Sequence, residues 1–228
     1  MALRLYLMRH AETAWSRSGQ HTGRADIPLT KNGEAEARQL GERLRAISFA
    51  QVFCSPLMRA KQTCELAGLA KDMRIDQDLI EWDNGDYDGQ KHADISAVRP
   101  NRNLFRDGCP NGEMPDDMAH RADRLVARFS LLDGNVAVFA PSHLGRVFAA
   151  RWLGLEVEDA ECFLLDTALV SILSSDREDG KPRSLLLWNS TPQNSIPPGS
   201  LEESQSASMK QRALERWENE GGDVGACR

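Results

Sequence analysis

The chain has 228 residues, of which 41% are apolar and 27% charged, with a formal net charge of -6. That length supports one domain with its own core and leaves residues over for a tail. The acid excess argues against a nucleic-acid partner, whose binding domains usually carry a basic face, while a local basic pocket in such a protein still suits a small anion.

The elements follow in order. Residues 3–8, rich in leucine, read as a strand that ends at Arg9-His10. A helix starts after Thr30, a good N-cap, with Ala37, Leu40, Leu44 and Ile47 on one face at spacings of three and four. Residues 51–54 form a short second strand. Ser55-Pro56 opens another helix, since proline suits a first turn where its missing N–H has no partner. Met118, Ala122, Leu125, Phe129 and Leu132 mark an amphipathic helix capped near Asp116 or Asp117. Residues 135–139 are a buried strand that leads through Pro141-Ser142 to His143 and a helix stopping near Gly154. Residues 168–174 and 184–188 are two more strands around a turn at 176–182. This alternation predicts an α/β fold with a largely parallel sheet. It places one domain at 1–190. Residues 191–228 read as a Pro- and Ser-rich linker and a polar tail, either a peripheral helix or a frayed end, with Met209, Leu214 and Trp217 as apolar anchors.

The five cysteines (54, 64, 109, 162 and 227) are odd in number and show no C-x-x-C spacing. A disulfide framework or zinc site is not expected, and a reducing cytoplasm fits. Cys54 and Cys64 read as core residues. No stretch reaches the roughly 20 apolar residues of a membrane span, and residues 3–8 are too few for a signal peptide. The expectation is a soluble cytoplasmic protein without membrane contact.

Open α/β sheets bind ligands outside the carboxyl ends of their strands. Three such ends here present a cation or an imidazole: Arg9-His10, Arg59 after Ser55-Pro56, and His143 with Arg146 beyond it. Neighbouring strands would bring them into one crevice, where helix N-termini add backbone N–H groups. A phosphoryl group spreads charge over three oxygens, and the catalyst must position and neutralise it. Arginine forks do this well. A histidine beside Arg9 has its charged form disfavoured, which leaves a neutral nucleophile. The leaving alkoxide needs a proton, so a carboxylic acid should sit nearby. Glu81 is the candidate, flanked by Leu79-Ile80 and Trp82, an apolar setting expected to raise its pKa. Asp83, Asp86 and Asp88 read as turn residues beside Gly85 and Gly89. His21 has a claim on the site mouth. His92 and His120 read as surface residues, and Trp82 and Tyr87 either shape the pocket or cover it.

These segments resemble the histidine phosphatase superfamily, also called phosphoglycerate mutase-like. Arg9-His10-Ala11-Glu12-Thr13 is similar to its Arg-His-Gly-Glu-Thr signature, with Ala11 in place of glycine. Leu29-Thr30-Lys31-Asn32-Gly33 is similar to its Leu-Thr-x-x-Gly helix start. Ser55-Pro56-Leu57-Met58-Arg59-Ala60-Lys61-Gln62-Thr63 resembles its Ser-x-Leu-x-Arg-Ala-x-Gln-Thr block. Ser142-His143 resembles the second-histidine motif, with Leu144 where glycine is common. Four motifs in order are a specific signal. The resemblance implies a three-layer α/β/α fold and a small phosphorylated substrate, with neither metal nor cofactor. It implies His10 as the phosphorylated nucleophile, Arg9, Arg59 and His143 as holders of the phosphoryl group, and Glu81 as proton donor. It also implies substrate contacts from Ser16, where many members carry asparagine, and from Thr22 and Gly23.

A finer resemblance runs through Ser18-Gly19-Gln20-His21-Thr22-Gly23, residues 81–89 and residues 105–113. These are similar to the branch containing fungal sedoheptulose-1,7-bisphosphatase, which brings Gln20 into the substrate site. Arg106 has two readings, a contact to a distal phosphate or a surface charge. The function expected is a phosphatase acting on a sugar phosphate or bisphosphate. The alternatives are a phosphoglycerate mutase and a non-catalytic phospho-ligand binder that docks through its tail. Mutases of the family usually carry a longer insertion between acid and second histidine, which favours hydrolysis.

Overall fold

A computed structural model describes residues 2–175 and 182–191. Its elements in chain order are β1 (Leu3–Arg9), α1 (Ala14–Ser18), α2 (Lys31–Leu44), β2 (Gln51–Cys54), α3 (Met58–Leu66), β3 (Met73–Ile75), α4 (His92–Val98), α5 (Leu104–Asp107), α6 (Pro115–Phe129), β4 (Asn135–Ala140), α7 (Ser142–Trp152), β5 (Val170–Ser175) and β6 (Ser184–Ser190). Leu5, Tyr6, Leu7 and Met8 are wholly buried. A strand covered on both faces needs apolar residues at every position, and that is how β1 reads. Leu5 and Leu7 join Met118, Leu125, Val147 and Phe148 of α6 and α7. Tyr6 and Met8 join Leu40 and Leu44 of α2 and Ala60 and Cys64 of α3. Alternate side chains of one strand thus feed two cores, which makes three layers. Each large apolar side chain so buried contributes about 1.5–3 kcal/mol.

The sheet runs β3-β2-β4-β1-β5-β6. Its first four strands are mutually parallel, whereas β5 and β6 are antiparallel additions. The expected α/β class with a mostly parallel sheet holds.

Two helix starts differ from expectation. After Ser55-Pro56 the chain bends, with the Leu57 N–H directed at Ser55 Oγ over 3.4 Å, and α3 begins at Met58. The second start is α6, whose N-cap is Met114, with Pro115 in its first turn. Asp117 reaches back as a carboxylate acceptor for the Met114 N–H at 3.0 Å. Of the expected turn at 176–182, residues 176–181 lie outside the described residues, as does the expected tail after Thr191. Among the described residues no helix is long and apolar enough to cross a membrane.

Candidate active site

Strands β1, β4 and β2 end level with one another. Arg9 lies opposite Ala140, and Cys54 opposite Phe139. The next residues leave the sheet together: the His10 N–H still donates to Ala140 O at 3.2 Å, and the Ser55 N–H to Phe139 O at 2.9 Å. His10, the first turn of α3 and the first turn of α7 therefore project from one end of the sheet. A cavity of about 270 Å³ opens there, and Arg9, His10, Arg59, Glu81 and His143 all line it.

His10 is 3% exposed. Its Nδ1 lies 2.9 Å from the Ala11 carbonyl oxygen. A carbonyl only accepts, so Nδ1 carries the ring proton and Nε2 keeps its lone pair. Burial, then Arg59 and Arg9, pushes the His10 pKa well below 6.5, so the ring is neutral. The Ala11 N–H donates to Thr63 Oγ1 at 3.0 Å. The Ala11 methyl packs with Ala37 and Ala168, small residues that accommodate this departure from the family glycine.

Arg59 is fully buried. Two of its nitrogens donate to Ala25 O and Gly23 O, both at 2.9 Å. Arg9 donates to Leu165 O at 2.6 Å. The Nε–H of each guanidinium has no acceptor among the described residues. Buried donors are nearly always paired. Two cations with buried, unpartnered Nε–H donors beside one cavity suit an anion rich in oxygen acceptors.

Glu81 is 4% exposed. Its Oε1 accepts from the Trp82 N–H at 3.0 Å and the Leu144 N–H at 2.9 Å, and its Oε2 accepts from the His143 N–H at 3.1 Å. The carboxylate thus sits on the N-terminus of α7, where partial positive charge favours it. Burial alone raises its pKa, as the sequence suggested. His143, Arg59 and the backbone donors outweigh burial, so the net direction is downward and the expected rise is corrected.

His143 Nδ1 lies 3.6 Å from Glu81 Oε2. Burial dominates over that carboxylate and lowers the His143 pKa to about 4. His21 stacks on His143 with centroids 5.9 Å apart and planes 14° apart, and His92 follows at 6.1 Å from His21. The exposed ring of His92 lines the cavity, which the sequence reading missed.

Ser16, Gln20 and Thr22 also line the cavity. The Ser16 hydroxyl is already engaged, accepting from the Thr13 N–H at 2.9 Å and donating to Thr13 O at 3.1 Å. Gly23 is not in the wall. It acts on Arg59 through its carbonyl, and a Cβ there would fall 2.0 Å from Asp88 Oδ1. Arg106 is not in the wall either: its exposed guanidinium pairs with Asp107 at 2.8 Å. Arg146 lines an adjoining lobe of about 230 Å³ that shares His21, His92 and His143 with the first. Its guanidinium lies 4.5 Å over the Phe105 ring and donates to Ala160 O at 3.0 Å. Among the described residues no group of three or more His, Cys, Asp or Glu is placed to hold a metal.

The profile of the histidine phosphatase superfamily, branch 1, matches residues 5–191. Sedoheptulose 1,7-bisphosphatase of Saccharomyces cerevisiae is 36% identical over 187 residues, covering 68% of this chain and 69% of that protein. An acid phosphatase of Mycobacterium tuberculosis is 34% identical over 173 residues, covering 74% of this chain and 85% of that protein. The solved structure of an open reading frame product of Mycobacterium tuberculosis matches with a TM-score of 0.77 at 32% identity, covering 83% of this chain and 98% of that one. The chain belongs to the histidine phosphatase superfamily, branch 1, and is a phosphatase of the hydrolase class.

Proposed function

We propose that the protein hydrolyses a small phosphorylated metabolite, a sugar phosphate or a bisphosphate such as sedoheptulose 1,7-bisphosphate, through a phosphohistidine at His10. The single observation that carries this reading is the buried His10 ring, tethered at Nδ1 and set beside the Arg9 and Arg59 guanidinium groups, whose buried Nε–H donors have no acceptor among the described residues. Arg9, Arg59 and His143 hold the phosphoryl oxygens. The Nε2 lone pair attacks phosphorus, the P–O bond to the sugar breaks, and Glu81 supplies the proton that the departing alkoxide requires. Water then attacks phosphorus, the P–N bond breaks, and Glu81, now a carboxylate, takes the proton. Ser16, Gln20 and Thr22 face the substrate.

The adjoining lobe supports a substrate with two anionic ends. It extends the cavity past His143 and carries Arg146 in its wall. The bisphosphatase resemblance points the same way.

The test combines a variant with a substrate panel. His10→Ala is expected to abolish phosphate release from every ester while leaving the thermal melt of the protein unchanged. Undiminished turnover in that variant would refute the nucleophile. Wild-type activity concentrated on sedoheptulose and fructose bisphosphates supports the finer reading, and a flat profile across monophosphates and nucleotides removes it. Interconversion of phosphoglycerates with little phosphate release would assign an isomerase instead.

A further inference from the structure

Glu81 stands on a stretch without helix or strand, at residues 81–84. A proton donor must be held within tenths of an ångström of its mark, and a loop alone does not do that. The restraint comes from α6. Arg121 is 5% exposed and points its whole fork at this loop. One terminal nitrogen donates to Asp78 O at 3.0 Å and also to Ile80 O. The other donates to Glu81 O at 3.4 Å and to Glu113 Oε2 at 2.7 Å, while Nε donates to Glu113 Oε1 at 3.1 Å.

Glu113 carries the restraint onward. Its Oε2 accepts from the Asp83 N–H at 2.9 Å, and its own N–H donates to Asp83 O at 2.9 Å. Its carbonyl accepts from Trp82 Nε1–H at 3.0 Å. Each residue from Ile80 to Asp83 is thereby bonded to Arg121 or Glu113. The row continues along α6, where Arg124 and Arg128 reach Asp78 at 2.7 Å each. Positions 121, 124 and 128 share a helix face by their spacing.

A buried ion pair is weak as a source of stability, because desolvation consumes most of the attraction. Its planar, bidentate geometry is strong as a fixture. We propose that Arg121, with Glu113 as its partner, is the positioning residue for the proton donor, fixing the backbone of Glu81 while the N-terminus of α7 fixes its carboxylate. The inference rests on the reading of Glu81 as the acid.

The test is the leaving-group dependence of kcat/KM in the full chain. A sugar phosphate needs protonation of its alkoxide, whereas p-nitrophenolate departs without it. Glu81→Gln is expected to lose about a hundredfold or more on the sugar phosphate and far less on p-nitrophenyl phosphate. Arg121→Lys keeps the charge but loses the fork. It should show the same selective loss, about tenfold or more on the sugar ester alone. A merely structural role would lower both esters in proportion, and that outcome, or no loss on the sugar ester, overturns the proposal. If Glu81→Gln itself fails to discriminate between the esters, the reading of Glu81 falls and this inference falls with it. Should Arg121→Lys not fold, Glu113→Gln is put through the same comparison: it keeps one acceptor for the Asp83 N–H and removes the pair. Selective loss there supports the fixture, and proportional or absent loss rejects it.

Discussion

At the level of single residues, the site separates charge from protonation. Arg9 and Arg59 stay cationic, while His10 beside them is held neutral by burial and by their fields. Glu81 is held ionised before substrate arrives. A phosphate monoester loses its second proton near pH 6, so the monoanion is the species that can carry in the proton Glu81 must later give. Above about pH 6 the monoanion fraction falls tenfold per pH unit. We expect kcat/KM on a sugar phosphate to decline with that slope toward alkaline pH, as read from a pH–rate profile. A flat profile up to pH 8 would mean that the proton comes from elsewhere. Arg9, His10, Arg59 and His143 were legible in the sequence because each ends a strand, directly follows one, or lies in the first turn of the helix after it. Of the two readings of Arg106 the structure gives the surface charge, a choice the sequence left open because spacing does not say which way a four-residue helix turns an arginine. His92 was missed for a related reason, since its ring reaches the cavity from a loop-flanked helix with one buried residue, Ile95.

Among the elements, α2 explains the Leu-Thr-x-x-Gly segment. Thr30 caps the helix by accepting from the Gly33 N–H at 3.0 Å. Its hydroxyl donates to Glu12 Oε1 at 2.6 Å, and the Glu12 N–H donates to Glu36 Oε2 at 2.9 Å. The helix start is thus riveted to the segment that follows the nucleophile. A Cβ on Gly33 would fall 2.1 Å from the Glu12 carbonyl oxygen, which is backbone and cannot swing aside. Gly33→Ala is therefore expected to cost about 2 kcal/mol or more, measured by urea unfolding. A loss within error of zero would show that α2 can slide. Elements with a full apolar stripe or run were readable: α2, α6, β1 and β4. The strand β3 has three residues, two of them exposed, and α1 buries none, so neither carries a pattern to find. Arg121 and Glu113 escaped for a further reason: they grip carbonyls, amides and each other, and the partners of a backbone group leave no trace in side-chain spacing.

For the whole molecule, the neutral imidazoles set the response to acid. An unfolded histidine takes up a proton near pH 6.5, whereas folded His21 and His143 resist until about 4. The unfolded chain therefore binds more protons throughout that window. The contribution of these two rings is full above pH 6.5, falls as the pH drops toward 4, and levels below it. The slope is about 1.4 kcal/mol per pH unit for each ring that stays neutral. Urea midpoints should already decline between pH 6.5 and 5, before ordinary carboxylates titrate. Equal midpoints at pH 7 and pH 5 would contradict this. The α/β class was legible in the alternation of strands and helices, while the three layers came only as an implication of the family resemblance. The antiparallel β5 and β6 appeared in the sequence only as two strands flanking a turn, whose pairing direction the turn itself implies.

The common level at which β1 and β4 stop has a consequence for how the enzyme would fail. Sliding one strand past its neighbour by a single residue moves its end by about 3.3 Å, whereas a good hydrogen bond tolerates only a few tenths of an ångström. The pairing of Arg9 with Ala140 is thus the gauge block against which the two imidazoles are set. Damage that lets the sheet creep would detune the chemistry while the cores still hold, so lost turnover would precede lost structure.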